Sequence, residues 1–197
     1  MKLVLATHNH DKVKEIKALL SDTVFDVLIL DDFPEISEIE EDGETLRQNA
    51  YKKAKTVFDN TGLLSLADDT GLEVDALDGR PGVYSSRFSG ENASYEDNVN
   101  KLLSMMEEVP DPERNAQFRC VISIVGSDIK KFAEGICPGK IIRDKRGDRG
   151  FGYDPVFYVP GYKKTLAEMD LELKNIISHR GIALKKAIQI LTQVVKT

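Results

Sequence analysis

The chain has 197 residues, 41% apolar, 30% charged and 7% aromatic, a size that buries a core without disulfides or structural metal. A net charge of −6 argues against a protein that coats nucleic acid, and no apolar run approaches the roughly 18 residues of a membrane span. Only Cys120 and Cys137 occur, with no CxxC pair, which excludes a disulfide scaffold or zinc ribbon and makes the cytoplasm the expected compartment.

Lys2 to Thr7 reads as a buried strand, and the following residues turn polar too early for a signal peptide. Asp11 is the expected N-cap of a helix carrying Val13, Ile16, Leu19 and Leu20. Val24–Leu30 is a second strand, and Asp31 to Glu44 an acidic loop. Thr45 caps a helix whose stripe is Leu46, Ala50, Ala54 and Val57, and Gly62 suits its left-handed end. Leu63–Ala67 is a strand running into Asp68-Asp69-Thr70-Gly71, and Leu72 to Leu77 alternates before an Asp78-Gly79 turn. After a PGVYSSRFSG loop come a helix over Ser94–Met106 and two strands, Ala116–Val125 and Lys131–Ile142, paired as an antiparallel hairpin. A glycine-bearing turn, a short VFYV strand, a helical stretch from Leu171 and a helix over Ile182–Val195 complete one α/β domain with a mixed sheet.

Charge is unevenly spread: residues 1–98 carry −11 and residues 99–197 carry +5. Such a split describes either two solvated surfaces or an acidic wall for a cation beside a basic wall for an anion.

Four segments could carry chemistry. In Thr7-His8-Asn9-His10-Asp11-Lys12 a strand empties into a helix start, so free N–H groups, side-chain donors at Thr7 and Asn9 and the Lys12 charge suit an anion. The same pattern also fits an ordinary capped turn, and His8-x-His10 alone is a weak metal signal. In Ser65 to Gly71, period-two alternation puts Asp69 with the small residues Ser65 and Ala67, opposite the Leu64/Leu66 face. Asp69 is therefore either a carboxylate opening toward a ligand or a turn residue. The Glu38-x-Glu40-Glu41-Asp42 run could add an oxygen ligand for Mg²⁺, which takes one or two protein carboxylates plus substrate phosphates. Around Phe151, Gly150 and Gly152 allow close backbone approach, and the ring can stack on a base or fill a core. Lys174 and Ser178-His179-Arg180-Gly181 supply donors near a helix break. There is no GxxxxGK[ST], GxGxxG at the first strand, HExxH or GxSxG.

TxNxxK, ADDTGL, PGVYSSRFSG, FGYDPVF and SHRGIAL stand in that order, and together they resemble the inosine/xanthosine triphosphate pyrophosphatase family over essentially the whole chain. The resemblance implies an elongated mixed β-sheet with flanking helices, two lobes around a central cleft, and a homodimer. It implies Mg²⁺-dependent hydrolysis of ITP, dITP and XTP to monophosphate and pyrophosphate. It also implies that Thr7, Asn9 and Lys12 hold the triphosphate and that Asp69 is general base, metal ligand or both. Glu40 becomes the second metal ligand, with Glu41 or Glu38 as alternatives. Thr70 would touch substrate, and Phe151 would stack on the base beside Gly152, Tyr153 and Asp154. Lys174 would reach the phosphates, and His179 and Arg180 the base edge. His8 departs from the small residue usual in this family.

The expected reaction is in-line attack of water on the α-phosphorus, with Lys12 and Lys174 stabilising the pyrophosphate that leaves. Donors facing the base would accept the 6-keto group of inosine or xanthosine and oppose the 6-amino group of adenine, each mismatched buried donor costing roughly 1–3 kcal/mol. Two other classes compete: a nucleotide-binding module without turnover, and a magnesium-dependent nuclease or phosphatase. The acidic composition, with no basic stripe interleaved with aromatics, disfavours polynucleotide substrates.

Overall fold

Alternation along β1 (Lys2–Leu5) sends Leu3 and Leu5 to one face of a sheet and Val4, with Ala6 just beyond the strand, to the other; all four are buried. The computed structural model describes residues 1–195. The chain forms two compact units: Met1–Asp69, Cys120–Gly135 and the described residues from Arg180 onward make the first, Thr70–Arg119 and Ile136–His179 the second.

In the first unit β1 pairs in parallel with β2 (Asp26–Ile29) and with β3 (Ser65–Val74), Leu5 lying opposite Leu66. Helices α1 (His10–Leu20) and α5 (His179–Val195) cover the Leu3/Leu5 face. There Val13, Ile16 and Leu20 of α1 and Ala183, Leu184, Ala187 and Leu191 of α5 pack with Leu64, Leu66, Ile122 and Ile124. Helix α2 (Leu46–Thr61) covers the opposite face, Ala54 and Val57 packing with Val4, Ala6, Ala67 and Val125. Two helical layers thus enclose a strand layer, as parallel pairing requires.

In the second unit β3 continues past Asp69 and pairs antiparallel with β4 (Pro81–Gly82). Helices α3 (Tyr95–Met105) and α4 (Leu171–Ile177) belong to this unit, as do β7 (Phe157–Val159) and β8 (Lys164–Thr165). Strands β5 (Asn115–Gly126) and β6 (Ile129–Ile141) are joined by two residues, Ser127-Asp128, the connection of an antiparallel hairpin. Strand order is β2-β1-β3-β5-β6-β7-β8, with β4 on β3, so the sheet is mixed as expected. Leu72, Val99, Leu102, Met106, Phe118, Phe157, Leu166 and Met169 form this unit's core. The PGVYSSRFSG segment is more ordered than a loop. Ser85 Oγ accepts from Leu72 N at 2.9 Å, and Asn98 holds Ser89 N and Ser86 O.

Three element boundaries differ from expectation. Asn9, not Asp11, caps α1: its backbone is extended and its Oδ1 accepts from Lys12 N at 3.0 Å, which leaves Asp11 inside the first turn. Strand β3 does not stop at the aspartates, because pairing of Leu72 and Glu73 with β4 carries it to Val74. Helix α5 begins at His179 rather than Ile182, immediately after the extended Ser178 that closes α4. Thr45 and Gly62 cap α2 as the sequence indicates, Gly62 at φ +67°. Among the described residues no helix is long and apolar enough to cross a membrane.

Candidate functional site

Strand parity separates the two aspartates of β3. Asp68 follows Leu64 and Leu66 toward α1 and α5, where Arg180 Nε lies 3.1 Å from its Oδ2 and Lys12 Nζ 3.2 Å from its Oδ1. The same guanidinium reaches Glu15 Oε2 at 2.5 Å. Asp69 follows Ser65 and Ala67 toward α2, where Lys53 Nζ stands 3.4 Å from its Oδ1 and also donates to Glu41. Both aspartates, Glu15, Lys53 and Arg180 are buried, so four carboxylates (Glu15, Glu41, Asp68, Asp69) meet three cations (Lys12, Lys53, Arg180) within the first unit.

Neighbouring charge sets these carboxylates apart. Burial opposes ionisation of Asp68, but Lys12, then Arg180 and Lys53, outweigh it and hold its carboxyl well below the usual range. For Asp69 burial is the largest influence and is not overcome by Lys53; the nearby Glu41 charge adds to it, and its proton affinity rises. Burial also opposes the charge on Glu41, yet Lys53 and Lys12 pull it down. Lys53 and Arg180 are both held more firmly protonated despite burial, chiefly by Asp69 and Asp68 respectively.

The acidic loop is fixed by a side chain on α2. Asn49 Oδ1 accepts from Gly43 N at 2.7 Å, an approach so close that a Cβ on Gly43 would meet Asn49 Oδ1 at 2.5 Å. This contact delivers Glu41 to Lys53, whereas Glu40 is exposed. Asp69 Oδ2 is buried and has no hydrogen-bond partner. A buried carboxylate oxygen left over beside a second carboxylate fits a hard divalent cation. Among the described residues no group of three or more His, Cys, Asp or Glu is placed to hold a metal ion. At the α1 turn Thr7 Oγ1 accepts from Asn9 N at 3.2 Å, so Thr7 and Asn9 both shape the helix start that carries Lys12. His8 and His10 lie 3.7 and 3.9 Å from the Asp31 carboxylate and are exposed.

In the second unit the residues around Phe151 form one turn. Gly150 and Gly152 sit at φ +72° and +60°, and a Cβ at Gly150 would lie 2.1 Å from Asp154 Oδ2. Phe151 N donates to that oxygen at 2.9 Å and Lys174 Nζ at 2.5 Å, while the ammonium stands 5.0 Å from the Phe151 ring centroid. Tyr153 is buried, its hydroxyl donating to Ser85 O at 2.9 Å, and burial pushes its proton affinity up. His179 stacks on Phe118 with centroids 4.5 Å apart, and Thr70 is the half-buried first residue of this unit.

With this geometry in view, the similarities are specific. A model of the Ham1 family matches residues 3–190. The chain belongs to the Ham1 family. It is 55% identical over 194 residues to a dITP/XTP pyrophosphatase of Desulforamulus reducens, covering 98% of this chain and 96% of that one. A second dITP/XTP pyrophosphatase, from Geobacter sulfurreducens, is 53% identical, with 93% and 92% covered. The solved Ham1 protein of Coxiella burnetii superposes with a TM-score of 0.89 at 41% identity, covering 98% and 99% of the two chains. The mixed α/β fold of this Ham1 chain is thus shared with solved relatives.

Of the residues the sequence singles out for one substrate site, the structure gathers Lys12 and Asp69 in the first unit and Phe151, Gly152, Asp154 and Lys174 in the second. Sequence reasoning passed over Lys53, Glu15, Asn49 and the pairing of Arg180 with Asp68. Lys53 carried a signal, a cation placed on the apolar stripe of α2 between Ala50 and Val57.

Proposed function

We propose that this chain hydrolyses the noncanonical purine nucleoside triphosphates ITP, dITP and XTP to the monophosphate and pyrophosphate. The observation that carries this reading is the buried Asp69, one oxygen without a hydrogen-bond partner, beside Lys53 and Glu41. The names of the Desulforamulus and Geobacter relatives support the same substrate class.

The residues divide the work by their environment. Thr7, Asn9 and Lys12 take the triphosphate at the α1 start, where helix N–H groups favour anions. Asp69 and Glu41 would hold the metal, Glu41 in place of Glu40 because Glu41 meets the same Lys53 as Asp69 while Glu40 is exposed. When bound there, Mg²⁺ would supply charge neutralisation for the phosphate oxygens. Asp69 orients the attacking water and receives its proton; the water oxygen bonds to the α-phosphorus as the bond to the bridging oxygen breaks, and pyrophosphate departs with that electron pair. Asp68, held ionised by Lys12 and Arg180, stays a fixed counter-charge. Phe151 stacks on the base with Gly152, Tyr153 and Asp154 beside it, Thr70 touches substrate, and Lys174 adds a cation for the phosphates. His179 contributes a donor toward the 6-keto edge, whereas Arg180, expected there from the sequence, is committed to Asp68 and Glu15.

The reading includes a homodimer in the cytoplasm. Two buried cysteines, Cys120 and Cys137, are compatible with a reducing compartment, and light scattering measures the assembly. The deciding assay incubates the protein with ITP, dITP, XTP, GTP and ATP, with and without Mg²⁺, and identifies the first products. Pyrophosphate and monophosphate from the first three, dependent on the metal, are expected. Orthophosphate as the first product, equal rates on ATP and ITP, or nucleotide binding without turnover overturns the reading.

A further inference from the structure

Tyr95 opens α3 directly after its cap Ser94, and 45% of its surface is exposed. Its ring centroid lies 5.7 Å from that of Phe151, the planes tilted by 40°, within the range in which aromatic quadrupoles attract. The side chains that α3 buries are Asn98, Val99 and Leu102, so Tyr95 stands apart from the buried face of its helix.

The Phe151 ring is not among the core residues of the second unit. It projects from a turn between two positive-φ glycines and is half-buried, with the Lys174 ammonium 5.0 Å from its centroid. The turn's backbone is fixed through Asp154, but that bond acts on Phe151 N and leaves the side-chain torsions to other contacts. Tyr95 supplies such a contact from a separate element. We infer that Tyr95 is a positioning residue for base recognition, bracing the Phe151 ring and extending its stacking surface. This rests on the proposed role of Phe151 as the base platform and names a residue outside the motifs discussed above.

The test compares KM for dITP with Ki for inorganic tripolyphosphate, which has no base to stack. Tyr95→Ala is expected to raise KM roughly 2- to 12-fold, the scale of one tilted aromatic pair, with kcat and the tripolyphosphate Ki within about twofold of the unaltered protein. Tyr95→Phe restores KM, because the ring and not the hydroxyl is required. Combining Tyr95→Ala with Phe151→Ala adds nothing to Phe151→Ala alone. The inference is overturned if Tyr95→Ala leaves KM unchanged, if Tyr95→Phe fails to rescue it, or if KM and Ki rise together. A rise in KM for Phe151→Ala without one for Tyr95→Ala removes only the Tyr95 role, whereas no rise for Phe151→Ala removes the base platform itself.

Discussion

Arg180 Nε lies 3.1 Å from Asp68 Oδ2, joining the first turn of α5 to the middle of β3 where neither group meets solvent. Glu15 holds the other side of the same guanidinium, so the cation has two carboxylates and Asp68 has two cations, Arg180 and Lys12. Removing one member of such a group strands the remainder.

Asp68→Asn is therefore expected to destabilise the protein by about 3 kcal/mol, the scale for breaking a buried ion pair, as read by urea unfolding. Because the folded carboxyl is depressed, its contribution is fully present above the ordinary value of 3.8 and is lost as pH falls through and below it. The acid limb of a stability–pH curve should flatten in Asp68→Asn; an unchanged limb and an unchanged midpoint would count against this account.

Asp69→Asn should act on turnover instead. A loss of at least about 100-fold is expected, the usual scale for a general base, with the thermal midpoint nearly unchanged. Near-normal turnover in the folded variant would remove Asp69 from the chemistry.

Adjacent glutamates give a sharper comparison. Glu41→Gln should raise the half-saturating Mg²⁺ concentration at least about tenfold, whereas Glu40→Gln, on an exposed side chain, should leave it alone. Magnesium titrations of initial rate distinguish them, and the reverse order would return the role to Glu40.

The thiols should be inert in the native state. Both cysteines are buried, and burial, reinforced by the Asp154 charge, pushes Cys137 up to about 11. Ellman's reagent at pH 8 should label almost nothing until denaturant is added. A raised folded value means that the stability linked to this thiol is fully present below its ordinary value of 9.0 and lost as pH rises through about 11. Cys137→Ala should flatten that alkaline decline.

Much of this arrangement was legible in the residues. Ser65 and Ala67 marked the face that Asp69 shares, and the strand stays regular enough through Val74 for the parity to hold. The same rule assigned Asp68 to the Leu64/Leu66 face, but an apolar face gave no hint of the buried Arg180 that neutralises it, or of Glu15, 165 residues from Arg180 in the chain, which shares that guanidinium. Glu40 and Glu41 could not be separated because a loop has no periodicity; a bond from Gly43 N to Asn49, made only after α2 docks, selects between them. The Asn9 cap was hidden for a different reason, since Asp11 and Asn9 are both good capping residues and local backbone decides between them.

The discontinuous make-up of the first unit bears on synthesis at the ribosome. Leu3, Leu5 and Leu66 are translated early, but the apolar cover that α5 lays over them arrives only after the entire second unit has been made. Until then Glu15 and Asp68 also lack the guanidinium that compensates them. A nascent chain halted before residue 179 therefore lacks the apolar cover of α5 over this sheet face, and of the two cations paired with Asp68 only Lys12 is left to compensate it.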